Sequence, residues 1–274
     1  MIRAWLDLST FGTFATLGIL YYGTALALVG VIFLSPLGPR IKTLNGLVAP
    51  FFSSVAMLFA LLTGFLANDV GDRNRQATRA VQSEAGELRN IYTLSVAAVS
   101  DMKAIRIALK AYAGSVVHDE WPAVEGGSSS QTDAAFDELL RRISDPAISR
   151  DDSNAVHGAL LNAAVRVATA RAIRLSLSSD RTNDLKWISV LILGLITQVA
   201  LALVHLERPR AMLAALTVFA SGAIVALGLV ALQEDPFDGI FKVSPQPLER
   251  LLALADTPAV PEILTSPAAP LPPK

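Results

Sequence analysis

Four apolar stretches in two pairs, split by the mostly polar segment 68–186, constrain this chain more than any other feature. The first pair is Phe11–Leu34 and Leu44–Ala67, and the second is Trp187–Leu206 and Ala211–Leu232. None of the four contains Asp, Glu, Lys or Arg. Each is close to the ~20 residues that carry a helix across ~30 Å of hydrocarbon. A soluble core rarely takes four such runs. The pattern predicts an all-α membrane protein with four transmembrane helices.

Composition removes several function classes. A net charge of −1 over 274 residues argues against a nucleic-acid partner. The absence of cysteine excludes disulfides and thiolate chemistry. His118, His157 and His205 are scattered without metal-ligand spacing, so neither a metal nor another cofactor is expected. No Gly-x-Ser-x-Gly, phosphate-binding glycine loop or metalloprotease helix motif is present, and an enzyme is not expected. The first run is longer than the apolar core of a signal peptide. The stretch Ser35-Pro36-Leu37-Gly38-Pro39 does not read as a small-residue cleavage site, so this run is expected to stay as an anchor.

The pattern divides the chain into a first transmembrane hairpin over 1–67, a helical soluble stalk over 68–184 and a second hairpin over 185–233. A post-span docking segment over 234–256 and a disordered Pro/Ala-rich tail over 257–274 complete it. The links Ser35–Thr43 and Glu207–Arg210 are short enough to be tight turns. Helical spacing persists past Ala67 through Ala77, Val81, Leu88 and Ile91, so span two is expected to continue out of the bilayer as one long helix. Met102, Ile105, Leu109, Tyr112 and Val116 mark a second soluble helix. Pro122 to Thr132, with Gly126-Gly127-Ser128-Ser129-Ser130, reads as a flexible loop, followed by a short helix over Asp133–Ser144. A longer helix, capped by Asp152 or Ser153, is expected to run to Ser179 and lead into span three. The stalk is thus pictured as extensions of spans two and three. Bases near the span ends are more numerous on the stalk side. The opposite side has only Arg40, Lys42, Arg208 and Arg210, but these sit in very short loops, which the positive-inside rule weights heavily. The count favours a cytoplasmic stalk.

Three groups of residues are candidates for function. In span two, Phe51, Phe52, Ser53, Ser54, Phe59 and Thr63 either face lipid and bond to their own helix, or ring a constriction in an oligomer. Between Ser153 and Ser179 the charged residues are Arg166, Arg171 and Arg174, with no acid. These arginines either draw anions into a vestibule, pair with Glu84 and Glu87, or meet lipid head groups. After span four comes Glu234-Asp235-Pro236-Phe237-Asp238-Gly239. Pro236 stops the helix and Asp238-Gly239 makes a turn, with the acids either structural or available to a cation.

This last stretch, placed after a fourth span, resembles the Glu-Asp-Pro-Phe-Gly segment of bestrophins. The layout of two spans, a helical segment with an early Glu84-Ala85-Gly86-Glu87-Leu88 element, two more spans and then this motif is similar to the bacterial bestrophin-like membrane family. The resemblance implies an oligomeric ion channel of the bacterial inner (plasma) membrane, more often anion-conducting, with inorganic ions and lipid as partners. It also implies that span two lines the pore. In animal bestrophins the post-span acids bind Ca²⁺. Here Ile240-Phe241-Lys242-Val243 replaces the acidic continuation, and the acids are read as structural. They are expected to fix a bend that docks Phe237 and Phe241. The alternative function is a non-conducting membrane scaffold or sensor whose stalk binds a partner.

Overall fold

The computed structural model of the chain describes residues 2–44, 46, 49–121, 128–180 and 182–255, and every element among them is helical. Most of the expected glycine-serine loop and the tail from 257 lie outside these residues. The helices are α1 (Ile2–Leu6), α2 (Thr10–Phe33), α3 (Gly38–Lys42), α4 (Ala49–Ala97), α5 (Lys103–Ser115), α6 (Ser130–Ile143), α7 (Pro146–Asp151), α8 (Asn154–Ser179), α9 (Asp184–Val204), α10 (Pro209–Ala231) and α11 (Gln246–Ala255). Four of them, α2, α4, α9 and α10, are long and apolar enough to cross a membrane. The chain folds as two compact units, Met1–Gln76 with Asp180–Val243, and Ala77–Ser179 with Ser244–Lys274.

In the first unit, local chemistry sets the helix starts. The Ser9 hydroxyl accepts from the Gly12 amide at 3.2 Å to cap α2, and the Asn183 side chain accepts from Leu185 N at 2.9 Å to cap α9. Pro209 opens α10, where a missing amide costs nothing. The expected turn between spans one and two contains the short helix α3, with Pro39 in its first turn. α2 packs against α9 and α10. Two glycines allow this approach. A Cβ at Gly194 would overlap the Tyr21 hydroxyl, and one at Gly228 would overlap the Phe14 ring. At Gly18, Gly23, Gly30 and Gly222, by contrast, nothing lies within 4 Å of such a Cβ. Gln198, an amide inside the apolar run of α9, is buried and donates to the Tyr21 carbonyl at 2.9 Å. Such a bond satisfies a donor that lipid cannot, while the Gln198 amide oxygen is buried without a partner among the described residues.

The second unit gathers residues 77–97 of α4 with α5, α6, α7, α8 and α11. Its core includes Leu88, Ile91, Leu109, Tyr112, Leu139 and Leu160, all closed to solvent. After Ser115 the chain continues as a π-helical turn, Val116–Glu120, which carries Glu120 inward. α8 is capped by Ser153, whose hydroxyl accepts from Val156 N at 3.2 Å. Asp152 is engaged elsewhere, accepting from Val99 N at 2.7 Å and from the Ser100 hydroxyl. These bonds, the Ser100 hydroxyl foremost, hold its carboxyl below the usual range. α11 was expected only as a docking segment. It is an amphipathic helix that packs on α5, with Leu248 and Leu251 buried.

Span two does continue as one helix, from Ala49 to Ala97. Span three is different. α8 stops at Ser179 and α9 restarts at Asp184, so the soluble helix does not extend the span. The reason is that the backbone between them bonds sideways. The Asp180 carbonyl accepts from Arg73, and the Thr182 amide donates to Glu234 at 2.7 Å.

Candidate functional site

The membrane-crossing part of α4 presents two faces. Phe59 and Leu66 are buried, and the Phe59 ring packs at a tilt against Phe219 of α10, with centroids 5.5 Å apart. Phe52 is half-buried and packs on the cluster around Ala25 and Leu206. Among the candidates from the sequence, these two phenylalanines therefore belong to the interior of the unit. Thr63 is half-buried, with its hydroxyl closed off and without a partner among the described residues. Phe51, Ser53 and Ser54 lie on the exposed face, and Ser54 donates to the Pro50 carbonyl at 3.1 Å. The same face continues through residues that periodicity could have flagged but that were not singled out: Met57, Leu61, Gly64 and Asn68. Their spacing of three to four residues places them on one stripe. Met57 is 75% exposed and Leu61 52%, inside a helix of membrane-spanning hydropathy.

The post-span motif forms a built node. Glu234 is buried, and its carboxylate accepts from Arg73 Nη1 at 3.1 Å, Thr182 N at 2.7 Å and Trp187 Nε1 at 3.3 Å. Arg73 also bonds the Thr182 hydroxyl at 3.1 Å, and Asn74 bonds the Gln233 carbonyl at 2.7 Å. Trp187 in turn meets Trp5 edge-on at 5.3 Å. The acid thus ties the end of α10 to α4 and to the start of α9. Asp235 accepts from the amides of Phe237 at 2.9 Å and Asp238 at 3.2 Å, which shapes the turn after Pro236. Asp238 accepts from Gly239 N at 2.7 Å, and Gly239 takes φ +83, which favours glycine. Phe237 is buried at 5% exposure, whereas Phe241 is 53% exposed. The expectation that both aromatics dock is corrected for Phe241, because the turn points it to the surface. Among the described residues, no group of three or more His, Asp or Glu is arranged to hold a metal ion.

The second unit holds a buried ion network. Arg174 bonds Glu84 at 2.7 Å and Glu120 at 2.6 Å. Arg171 bonds Glu120 and, at 2.7 Å, Asp133. Tyr112 donates to Glu84 at 2.7 Å, and Trp121 lies against the Arg174 guanidinium at 5.5 Å. Burial alone would lower both arginines. The hydrogen bonds and charges of Glu120, Asp133 and Glu84 outweigh it and hold them above the ordinary range. Arg166 differs. It is exposed and pairs with Glu87 at 2.8 Å. Of the three arginines read from the sequence as a vestibule, Arg171 and Arg174 are buried pair members, and only Arg166 reaches the surface. Glu120, the acid common to both, escaped notice because it lies in another element, over fifty residues away.

Four long apolar helices, one with an unpaired face, and a helical unit knitted by buried ion pairs define a polytopic membrane protein. The pattern of the Bestrophin-like domain matches residues 19–248, and the chain belongs to that family. Solved structures share the fold at low identity. A variant of a bacterial bestrophin homologue from Klebsiella pneumoniae is 15% identical, covering 92% of this chain and 100% of that one, with a TM-score of 0.67. A second variant of that protein is 17% identical over 86% of this chain and 98% of that one, with a TM-score of 0.62. A structure described as a membrane protein gives 16% identity, 86% and 99% coverage, and a TM-score of 0.62. No curated protein matches the chain.

Proposed function

We propose that this chain forms an oligomeric ion channel of the bacterial plasma membrane, with anions as the favoured ions and the second unit on the cytoplasmic side. The observation that carries the reading is the exposed stripe on α4. Met57, Leu61, Gly64 and Asn68 face outward from a helix whose opposite side is packed by Phe59 and Leu66. One copy offers no polar path through the bilayer. Several copies arranged with this stripe inward would enclose a narrow apolar passage of the kind that gates by dewetting. Membership in the Bestrophin-like family supports the same assignment.

The absence of native cysteine makes the test clean. Purified protein in liposomes carries chloride flux, and a thiol reagent blocks Met57→Cys and Leu61→Cys while sparing Phe59→Cys. Absence of flux from the wild type and from every variant, together with a monomer in mild detergent, would overturn the channel and favour a non-conducting scaffold. Block at Phe59→Cys alone would keep the channel and move its lining to another face.

A further inference from the structure

The charges on α4 and α8 in the second unit are sorted by sign. α8 carries no acid. The two acids of α4 in this unit are Glu84, which is fully buried against Arg174, and Glu87, half-buried against Arg166. Their negative charge is thereby spent on arginines. The exposed positions of α4 here carry Thr78, Arg79, Gln82, Ser83, Gly86, Arg89, Asn90 and Thr93 before the final apolar residues, and both charged groups are basic. Neither Arg79 nor Arg89 has an ion pair or a side-chain hydrogen bond among the described residues. Helical spacing places Arg79, Gln82, Gly86, Arg89 and Thr93 within one stripe. Exposed acids of this unit sit on other elements, among them Asp101 before α5, Asp137 on α6, Asp145 before α7 and Glu249 on α11.

We infer that Arg79 and Arg89 form the anion-selecting surface of the protein, with small hydrated inorganic anions as the ligand class. This rests on the channel reading. The physical argument is charge balance. A solvated helix face normally mixes signs, and a face of mixed sign is neutral to passing ions. Here the pairing of Glu84 with Arg174 and of Glu87 with Arg166 removes the carboxylates that would cancel Arg79 and Arg89. The neighbouring amides and hydroxyls of Gln82, Ser83, Asn90 and Thr93 donate hydrogen bonds without adding negative charge. Surface guanidinium groups raise the local anion concentration, and salt screens the effect as the Debye length shrinks from ~10 Å at 0.1 M to ~3 Å at 1 M. Arg166 and Arg174 have a supporting part, since they keep Glu87 and Glu84 occupied.

The test is reversal potential in planar bilayers under a KCl gradient, using the full-length protein. Arg79→Gln with Arg89→Gln should lower the anion-to-cation permeability ratio by roughly threefold or more, as expected for unit charges several ångströms from an ion in high dielectric. Arg79→Glu with Arg89→Glu should lower it further, and Arg79→Lys with Arg89→Lys should preserve it. The difference between wild type and the Gln pair should fade in concentrated salt. Arg141→Gln, on α6 beside Glu138, should change nothing. Wild-type currents with an unchanged ratio in the Gln and Glu pairs would overturn the assignment while leaving the channel intact. No current from wild-type protein would overturn the channel reading, and this inference with it.

Discussion

Nε of Arg174 lies 2.7 Å from Oε2 of Glu84, and both side chains are closed to solvent. The two residues stand 90 positions apart and join α8 to α4 inside the second unit. A buried pair of this kind is a weak source of net stability, because desolvation offsets the attraction. Removing one partner is costly, since the other charge is left uncompensated.

Arg174→Met should therefore destabilise the protein by about 3–5 kcal/mol, read as a large fall in melting temperature in detergent. Glu84 and Glu120 would both lose a partner. Adding Glu84→Gln to Arg174→Met should recover part of the loss. A double variant worse than the sum of its singles would show that the pair is not the relevant unit.

Tyr112 supplies a pH dependence of definite sign. Burial first, then the nearby Glu84, raises its phenol well above the ordinary value. An acid with a raised folded pKa contributes its full stability below the unfolded value, near pH ~10, and loses it as pH rises toward the folded value. Above about pH 10 the unfolded chain releases the proton and the folded chain keeps it. Stability should then fall by about 1.4 kcal/mol per pH unit from this group. Melting curves between about pH 9 and 11 should show a shallower decline for Tyr112→Phe than for wild type; equal slopes would remove Tyr112 from the account.

The post-span turn separates two aromatics that look alike in sequence. Phe237→Ala should cost about 3–5 kcal/mol, whereas Phe241→Ala should stay within about 0.5 kcal/mol. Glu234→Gln should also lower the melting temperature, since Arg73 would lose its ion pair. Added Ca²⁺ should move none of these values, because the Glu234 carboxylate is already occupied by Arg73, Thr182 and Trp187. A Ca²⁺-dependent rise lost in Glu234→Gln would restore a cation role for the motif.

Glycine substitutions should sort by contact. Gly194→Ala and Gly228→Ala push a Cβ into Tyr21 and Phe14 and should each cost about 1–3 kcal/mol. Gly222→Ala has open space and should be neutral or slightly stabilising, because helix propensity improves. Tyr21→Phe should relieve Gly194→Ala in part, as the hydroxyl is the nearest atom but the ring carbons also crowd the site. Thermal stability of the four proteins checks the order.

Legibility followed the range of the interaction. The bend after span four was readable because Pro236, Asp235 and Gly239 act within a few residues of one another. Its anchor was not, because Arg73 lies 161 positions from Glu234. Pairing of the α8 arginines with Glu84 and Glu87 was among the readings from the sequence. The part of Glu120 was not, since a π-helical turn shifts the register that would have placed it.

The sequence by itself determined that this is a helical protein with four membrane-length apolar helices and a long helix running on from the second. Those features depend on run length and on a 3.6-residue period, which are local properties of the chain. Tertiary structure alone decided that α8 and α9 are separate helices, that Phe59 faces inward while Met57 and Leu61 face outward, and that Phe237 is buried while Phe241 is not. It also decided that the part of α4 in the second unit exposes Arg79 and Arg89 while Glu84 is buried and Glu87 half-buried. The physical reason is that an apolar or charged residue has the same local preference on either face of a helix. Only the neighbours brought up from distant positions determine which face is closed.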